Sequence, residues 1–176
     1  MKRLFLDIDG VLNSTEDWIE WKVLGHPHNA SLEMISRAKL AMLVNIVRET
    51  GCKLVLSSSW RLHYTNEEII EMFNARDCYY ITTDILIDQT PPPERSSIRG
   101  HDIRSWLKEH PEVTQYVILD DSRDFFPEQF QYHVKTDTYV GLTFYQMKEC
   151  IKLLSDKDIV QIEDEIFNPP IQPRQT

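Results

Sequence analysis

Along the chain, short apolar runs alternate with longer stretches whose apolar positions recur at helical spacing, and that alternation predicts the fold. Leu4 to Ile8 is continuous and apolar, as expected of a strand covered on both faces of a parallel sheet. Ser31 can cap a helix running to about Glu49, with Leu32, Ile35, Met42, Leu43, Ile46 and Val47 on its inner side and Gly51 ending it. "KLVLSSSW" from Lys53 reads as a second strand, and Thr65 with Glu68 makes a capping box for a helix to about Ala75. "CYYIT" from Cys78 reads as a third strand. Gly100 to His110 predicts a helix stopped by Pro111, "QYVILDD" from Gln115 a fourth strand and "YHVKT" from Tyr132 a fifth. A helix from about Thr143 to Leu154 follows.

Strand and helix in this order imply an α/β protein of three layers, a doubly wound, Rossmann-like parallel sheet with right-handed crossovers. In such a sheet ligands sit beyond the carboxyl ends of the strands near the topological switch point. Polar residues concentrate at those ends: Asp7 and Asp9 close the first strand, Ser57 to Ser59 the second, Asp120 and Asp121 the fourth. Positions 7 and 9, two apart in extended chain, project to the same side. With 176 residues one core is the expectation. Residues 1–155 read as one domain with a small flap at about 13–30, and residues 156–176 as a C-terminal helix or tail. "DQTPPPERSS", from Asp88 to Ser97, reads as a stiff surface loop.

Composition narrows the function classes. Hydrophobic residues at 41% and charged residues at 27% belong to an ordinary globule. A formal charge of −9 argues against a surface that grips duplex nucleic acid throughout, while leaving room for a local basic groove. Cys52, Cys78 and Cys150 are odd in number, scattered and without a CxxC pair, so they read as reduced intracellular residues. The apolar run after Lys2 and Arg3 is broken by Asp7 too early for a signal peptide, and no stretch is long enough to span a bilayer. A cytoplasmic protein without a membrane partner is expected.

Four carboxylates gathered at one sheet edge cannot all stay ionised without a raised pKa or a bound cation. Mg²⁺ resolves this, since it takes one or two carboxylates together with water and phosphate oxygens. Ser57, Ser58 and Ser59 add hydroxyls and successive amides, and Arg61 with Arg99 could supply planar cationic forks to phosphate. Each motif alone has a blander reading as a turn, a polar loop or a helix cap. Their joint placement at three strand ends favours a metal and phosphate site.

"LFLDIDGVLN", "KLVLSSSW", the Arg of "SSIRGHDI" and "YVILDD" resemble the four ordered motifs of the haloacid dehalogenase (HAD) superfamily in its phosphatase branch. "LSSSWR", "RGHDIRSWL", "YVILDD" and "VGLT" more closely resemble the HAD domains of Swiss Army Knife RNA repair proteins, over about Lys2 to Leu154. The resemblance implies phosphomonoester hydrolysis in two steps, with Asp7 as the nucleophile that becomes an aspartyl-phosphate. Asp9 would be the general acid and then the base. Mg²⁺ would be held by Asp7, the main-chain carbonyl of Asp9 and the pair Asp120 and Asp121, with Asp121 favoured as the direct ligand and Asp120 as its outer neighbour. Ser57 would bond the transferring phosphoryl group, and Ser58, Ser59, Gly10 and Arg61 would contact substrate. Arg99 would take the place of the superfamily's commoner lysine, with Arg95 as its competitor.

No insertion is large enough for a cap domain, and an uncapped site admits bulky substrates. With the RNA-repair resemblance this favours phosphates at RNA or DNA ends, ahead of small phosphate esters, nucleotides or phosphoprotein. In the flap, Trp18 and Trp21 lie three apart, compatible with packing on the core or with base stacking. His26 and His28 lack a third metal ligand nearby. A receiver-like Mg²⁺ and phosphoryl switch is the non-enzymatic alternative, disfavoured because the acidic pair follows the fourth strand and Asp84 lies past the expected third.

Overall fold

A computed structural model describes residues 1–25, 34–93 and 98–155. Strands β1 (Lys2–Leu6), β2 (Lys53–Leu56), β3 (Leu86–Gln89), β4 (Gln115–Asp120) and β5 (His133–Lys135) pair in parallel in the order β3-β2-β1-β4-β5. The helices are α1 (Thr15–Val23), α2 (Arg37–Thr50), α3 (Asn66–Asn74), α4 (Arg99–Glu109) and α5 (Phe144–Leu154).

The continuous apolar runs of β1, β2 and β4 are explained by burial on both faces. Leu4, Leu6, Leu54, Leu56, Val117 and Leu119 enter the larger core with α2, α3 and α5, while Phe5, Val55 and Ile118 point the other way onto Ile103 and Trp106 of α4. The period of two divides each strand between two layers of helix. Chain direction explains which helix lands where: β1, β2 and β3 advance toward one edge with α2 and α3 on one face. The return from β3 to β4 carries α4 to the opposite face, as right-handed crossovers require. β1 is therefore the switch point, flanked by β2 and β4.

Local signals fix the ends. Thr65 and Glu68 form the expected capping box of α3, and Gly51 ends α2 in the left-handed conformation at φ 66°. Ser36, not Ser31, precedes α2; Ser31 and Leu32 lie outside the described residues, and Ile35 is buried ahead of the helix.

The third strand differs from expectation. Cys78 to Thr82 is turn and coil after α3, with Asp77 at φ 63° and Tyr79 and Tyr80 exposed. β3 instead begins at Leu86 and takes in Asp88 and Gln89, the start of the stretch expected to be loop. A β-rich composition there marks surface aromatics. Leu86–Gln89 has only one buried side chain because β3 is an edge strand.

The flap forms α1, none of whose residues is buried. Its first turn is nevertheless anchored: the amides of Thr15 and Glu16 donate to the carbonyls of Thr138 and Tyr139, and Lys39 Nζ reaches both Ser14 Oγ and Asp17. No large cap inserts among the described residues. None of their helices is long and apolar enough to cross a membrane, and Cys52, Cys78 and Cys150 are free and buried. His26, His28, Arg95 and the acidic segment from Asp156 lie outside the described residues.

Candidate active site

Asp7 follows β1, Ser57 follows β2, Asp120 ends β4 and Arg99 opens α4, so the switch point gathers side chains far apart in sequence. Asp7 continues the ladder, its amide donating to the Leu119 carbonyl at 3.0 Å, and the Ser57 amide donates to Leu6 at 2.9 Å. Both residues are thereby held by backbone on either side of the central strand.

One carboxylate oxygen from each of Asp7, Asp120 and Asp121 lies within 4.8 Å of the others. Arg99 reaches between them, its Nη1 lying 2.7 Å from Asp7 Oδ2 and also pairing with Asp120. Burial, then the charge of Asp120, raise the Asp7 carboxyl to about 6, against the lowering effect of Arg99 and of a hydrogen bond from Ser58. Burial likewise raises Asp120. Burial opposes the charge of Arg99, but the two carboxylates outweigh it and its pKa is raised.

The donor set fits a hard divalent cation. When ionised, three carboxylates and one guanidinium leave two negative charges, all ligand atoms are oxygen, and the buried group strains against its own ionisation. Ser57 Oγ is buried with no hydrogen-bond partner, a donor at the strand end beside Asp7.

Asp9 stands apart from this acidic group. Its Oδ2 accepts from Trp60 Nε1 and its Oδ1 from Asn13 Nδ2, both at 2.8 Å. Trp60 and Asn13 were not among the residues expected to serve the site, although both lie inside its sequence motifs. Asp121 accepts from Thr138 Oγ1 at 2.6 Å, a partner contributed by the loop after β5.

Gly10, expected as a substrate contact, lines the cleft beside Asp9 and also packs its backbone against Asp121. At φ 70° it presents its backbone to Asp121, where an added Cβ would lie 2.9 Å from the aspartate Cβ and closer still to its carboxylate. Its amide donates to Asn13 Oδ1 at 3.2 Å and its carbonyl accepts from Thr136.

Arg61, likewise expected as a substrate contact, is tied into the fold. Its guanidinium pairs with Asp102 at 2.7 Å and donates to the carbonyls of Ser57 and Ser58, both at 2.8 Å. The side chains of Arg61 and Asp102 are 5% and 4% exposed, so this pair braces the serine loop from within the protein. Ser58 caps the short 3₁₀ turn Ser59–Leu62, and Ser59 is exposed at its start.

A model of the HAD domain in Swiss Army Knife RNA repair proteins matches residues 3–147. A haloacid dehalogenase-like hydrolase from Streptococcus pneumoniae is similar in structure at 10% identity and a TM-score of 0.43, covering 93% of this chain and 97% of that one. No curated protein matches. With the family model spanning most of its length, the chain belongs to the HAD domain family of Swiss Army Knife RNA repair proteins and is a hydrolase of the HAD superfamily.

Proposed function

We propose that the protein is a Mg²⁺-dependent phosphomonoesterase that works through an aspartyl-phosphate on Asp7, with phosphates at polynucleotide ends as its substrates. The observation that carries this reading is the pairing of Asp7 with Arg99 at 2.7 Å inside a cluster that also holds Asp120 and Asp121. The HAD family membership supports the chemistry, and its RNA-repair context supports the substrate class. The site's lack of a large cap among the described residues is compatible with a bulky leaving group.

In the first step an Asp7 oxygen bonds to phosphorus while the bond from phosphorus to the leaving oxygen breaks, and Asp9 gives that oxygen its proton. In the second, ionised Asp9 takes a proton from water, the hydroxide bonds to phosphorus, and the Asp7 carboxylate departs. Ser57 Oγ donates to the transferring group, and Arg99 neutralises charge on Asp7 and the phosphoryl oxygens. Mg²⁺, held by Asp7, the Asp9 main-chain carbonyl and Asp121 with Asp120, would offset the charge of the carboxylates and polarise the phosphoryl group when bound. Uncatalysed phosphate monoester hydrolysis is slow enough to need acceleration of up to about 10²¹-fold, so positioning and charge stabilisation must both act.

The test is phosphate release from matched RNA, DNA, nucleotide, sugar and phosphopeptide esters, with Mg²⁺ and with chelator. Turnover that needs Mg²⁺ and vanishes in Asp7→Asn supports the chemistry; turnover unaffected by Asp7→Asn contradicts it. Selective cleavage of mononucleotides would contradict the polynucleotide assignment alone.

A further inference from the structure

We infer that a single-stranded polynucleotide leaves the catalytic centre along a track over α1 and α2, stacking on Trp18 and ending at a basic, aromatic groove formed by Arg48, Arg76 and Tyr80. This deepens the proposed substrate class and rests on it.

The track begins at the proton donor. A cleft of about 330 Å³ is lined by Asp9, Asn13, Trp18, Met34 and Thr138. The group that Asp9 protonates is the leaving group, so the cleft containing Asp9 is where the body of the substrate emerges. Trp18 stands over it, 41% exposed on a helix that buries nothing, so core packing does not account for the indole. Lys22 Nζ sits over one face of its ring, 3.8 Å from the centroid, so a base stacks on the opposite face with this cation close by. The anchoring of the first turn of α1 by Lys39, Thr138 and Tyr139 holds Trp18 in place.

Met34 joins this cleft to a second of about 460 Å³ between α1 and α2, and Arg37 and Arg76 join the second to a third of about 480 Å³. In the third, Arg48 lies 4.5 Å over the ring of Tyr80, and Tyr79 beside it is 68% exposed. Arg37 and Arg48 line the same groove eleven residues apart on α2, about 16 Å along its axis. Arg37 is paired with Asp77 at 2.8 Å, but both side chains remain open to solvent. The α1 wall of the second cleft carries Asp17 and Glu20, so the phosphate-binding charge is concentrated in the third, where Arg37, Arg48 and Arg76 outnumber Asp77 beside Tyr79 and Tyr80, offering charge for phosphates and rings for bases. On a chain of net charge −9, arginines collected in one groove are a local departure from the surrounding field.

The test measures binding of fluorescent single-stranded RNA and DNA of 1, 4 and 12 nucleotides with a terminal phosphate to the Asp7→Asn protein, by anisotropy at two salt concentrations. Affinity is expected to rise with length and to fall with salt. The double variant Arg48→Glu with Tyr80→Ala, its fold checked by circular dichroism, is expected to bind the 12-mer about tenfold more weakly or worse. Should that variant unfold, Arg48→Ala with Tyr80→Phe replaces it, with a smaller loss in the same direction. A 12-mer bound no tighter than a mononucleotide, or equally tightly by the variant, overturns the track, as does a phosphopeptide of similar length bound equally well. Wild-type turnover of a small aryl phosphate is measured alongside: its absence counts against the catalytic reading, whereas turnover without length-dependent binding counts against the track alone.

Discussion

The Trp60 indole donates from Nε1 to Asp9 Oδ2 at 2.8 Å, so a residue of the second motif aims the carboxyl group of the first. Asn13 holds the other oxygen, and together they leave Asp9 little rotational choice. Trp60→Phe keeps most of the ring and removes the donor. The kcat for alkyl phosphates is expected to fall about tenfold or more, since misplaced catalytic groups lose rate steeply. Aryl phosphates with good leaving groups, which need no proton, should lose much less. Equal losses across a leaving-group series would mean that Trp60 acts only through packing.

Arg61 and Asp102 make a different prediction. Because the pair is buried and the guanidinium also supports the Ser57 and Ser58 carbonyls, Asp102→Ala strands a charge in the interior. Chemical denaturation without substrate should show a loss of about 3 kcal/mol or more. Arg61→Lys should recover little of what Arg61→Ala loses, because a point charge cannot fork across three acceptors. A stability change near zero, with an effect on KM alone, would restore Arg61 to the substrate surface.

The close approach of Gly10 to Asp121 sets backbone against a carboxylate of the acidic cluster. Gly10→Ala suffers both a left-handed φ and an overlap with the carboxylate. A stability loss of about 1–2 kcal/mol is expected, together with weaker divalent-ion binding by calorimetry as Asp121 is displaced. Unchanged ion binding would place Asp121 outside the cation site.

The raised pKa of Asp7 gives a stability signature opposite in sign to that of an ordinary paired aspartate. The unfolded chain releases the proton near 3.8, whereas the folded, metal-free protein keeps it to about 6. Between those values the folded state binds more protons, so this group's contribution to stability falls as pH rises through the window. Asp7→Asn should therefore raise the stability of the metal-free protein at pH 7.5, by on the order of 1–2 kcal/mol. The gain should vanish near pH 3.5 in thermal melts. A variant less stable than wild type at pH 7.5 would show that the Arg99 pair outweighs burial.

The sheet centre and its acidic groups were legible because their signals are local. β1, β2 and β4 are uninterrupted apolar runs, and Asp7, Ser57 and Asp120 sit where those runs stop. β3 was not legible: one buried residue in Leu86–Gln89 leaves no pattern to read, while Tyr79 and Tyr80 imitate a strand from an exposed turn. The pairing of Arg61 with Asp102 was not legible because its partner lies 41 residues away, and no periodicity announces a buried ion pair between separate elements. The role of Gly10 was hidden for the same reason, since only the fold brings Asp121 against it.

Covalent catalysis at residue 7 is tested most directly by mixing enzyme, Mg²⁺ and substrate, quenching in acid during turnover and reducing with borohydride, which converts an aspartyl-phosphate to homoserine. Peptide mass spectrometry should find homoserine at position 7 only when substrate was present, and never in Asp9. Robust turnover with no reducible acyl phosphate, or with homoserine at Asp120 or Asp121 instead, would contradict the assignment of Asp7 as the nucleophile.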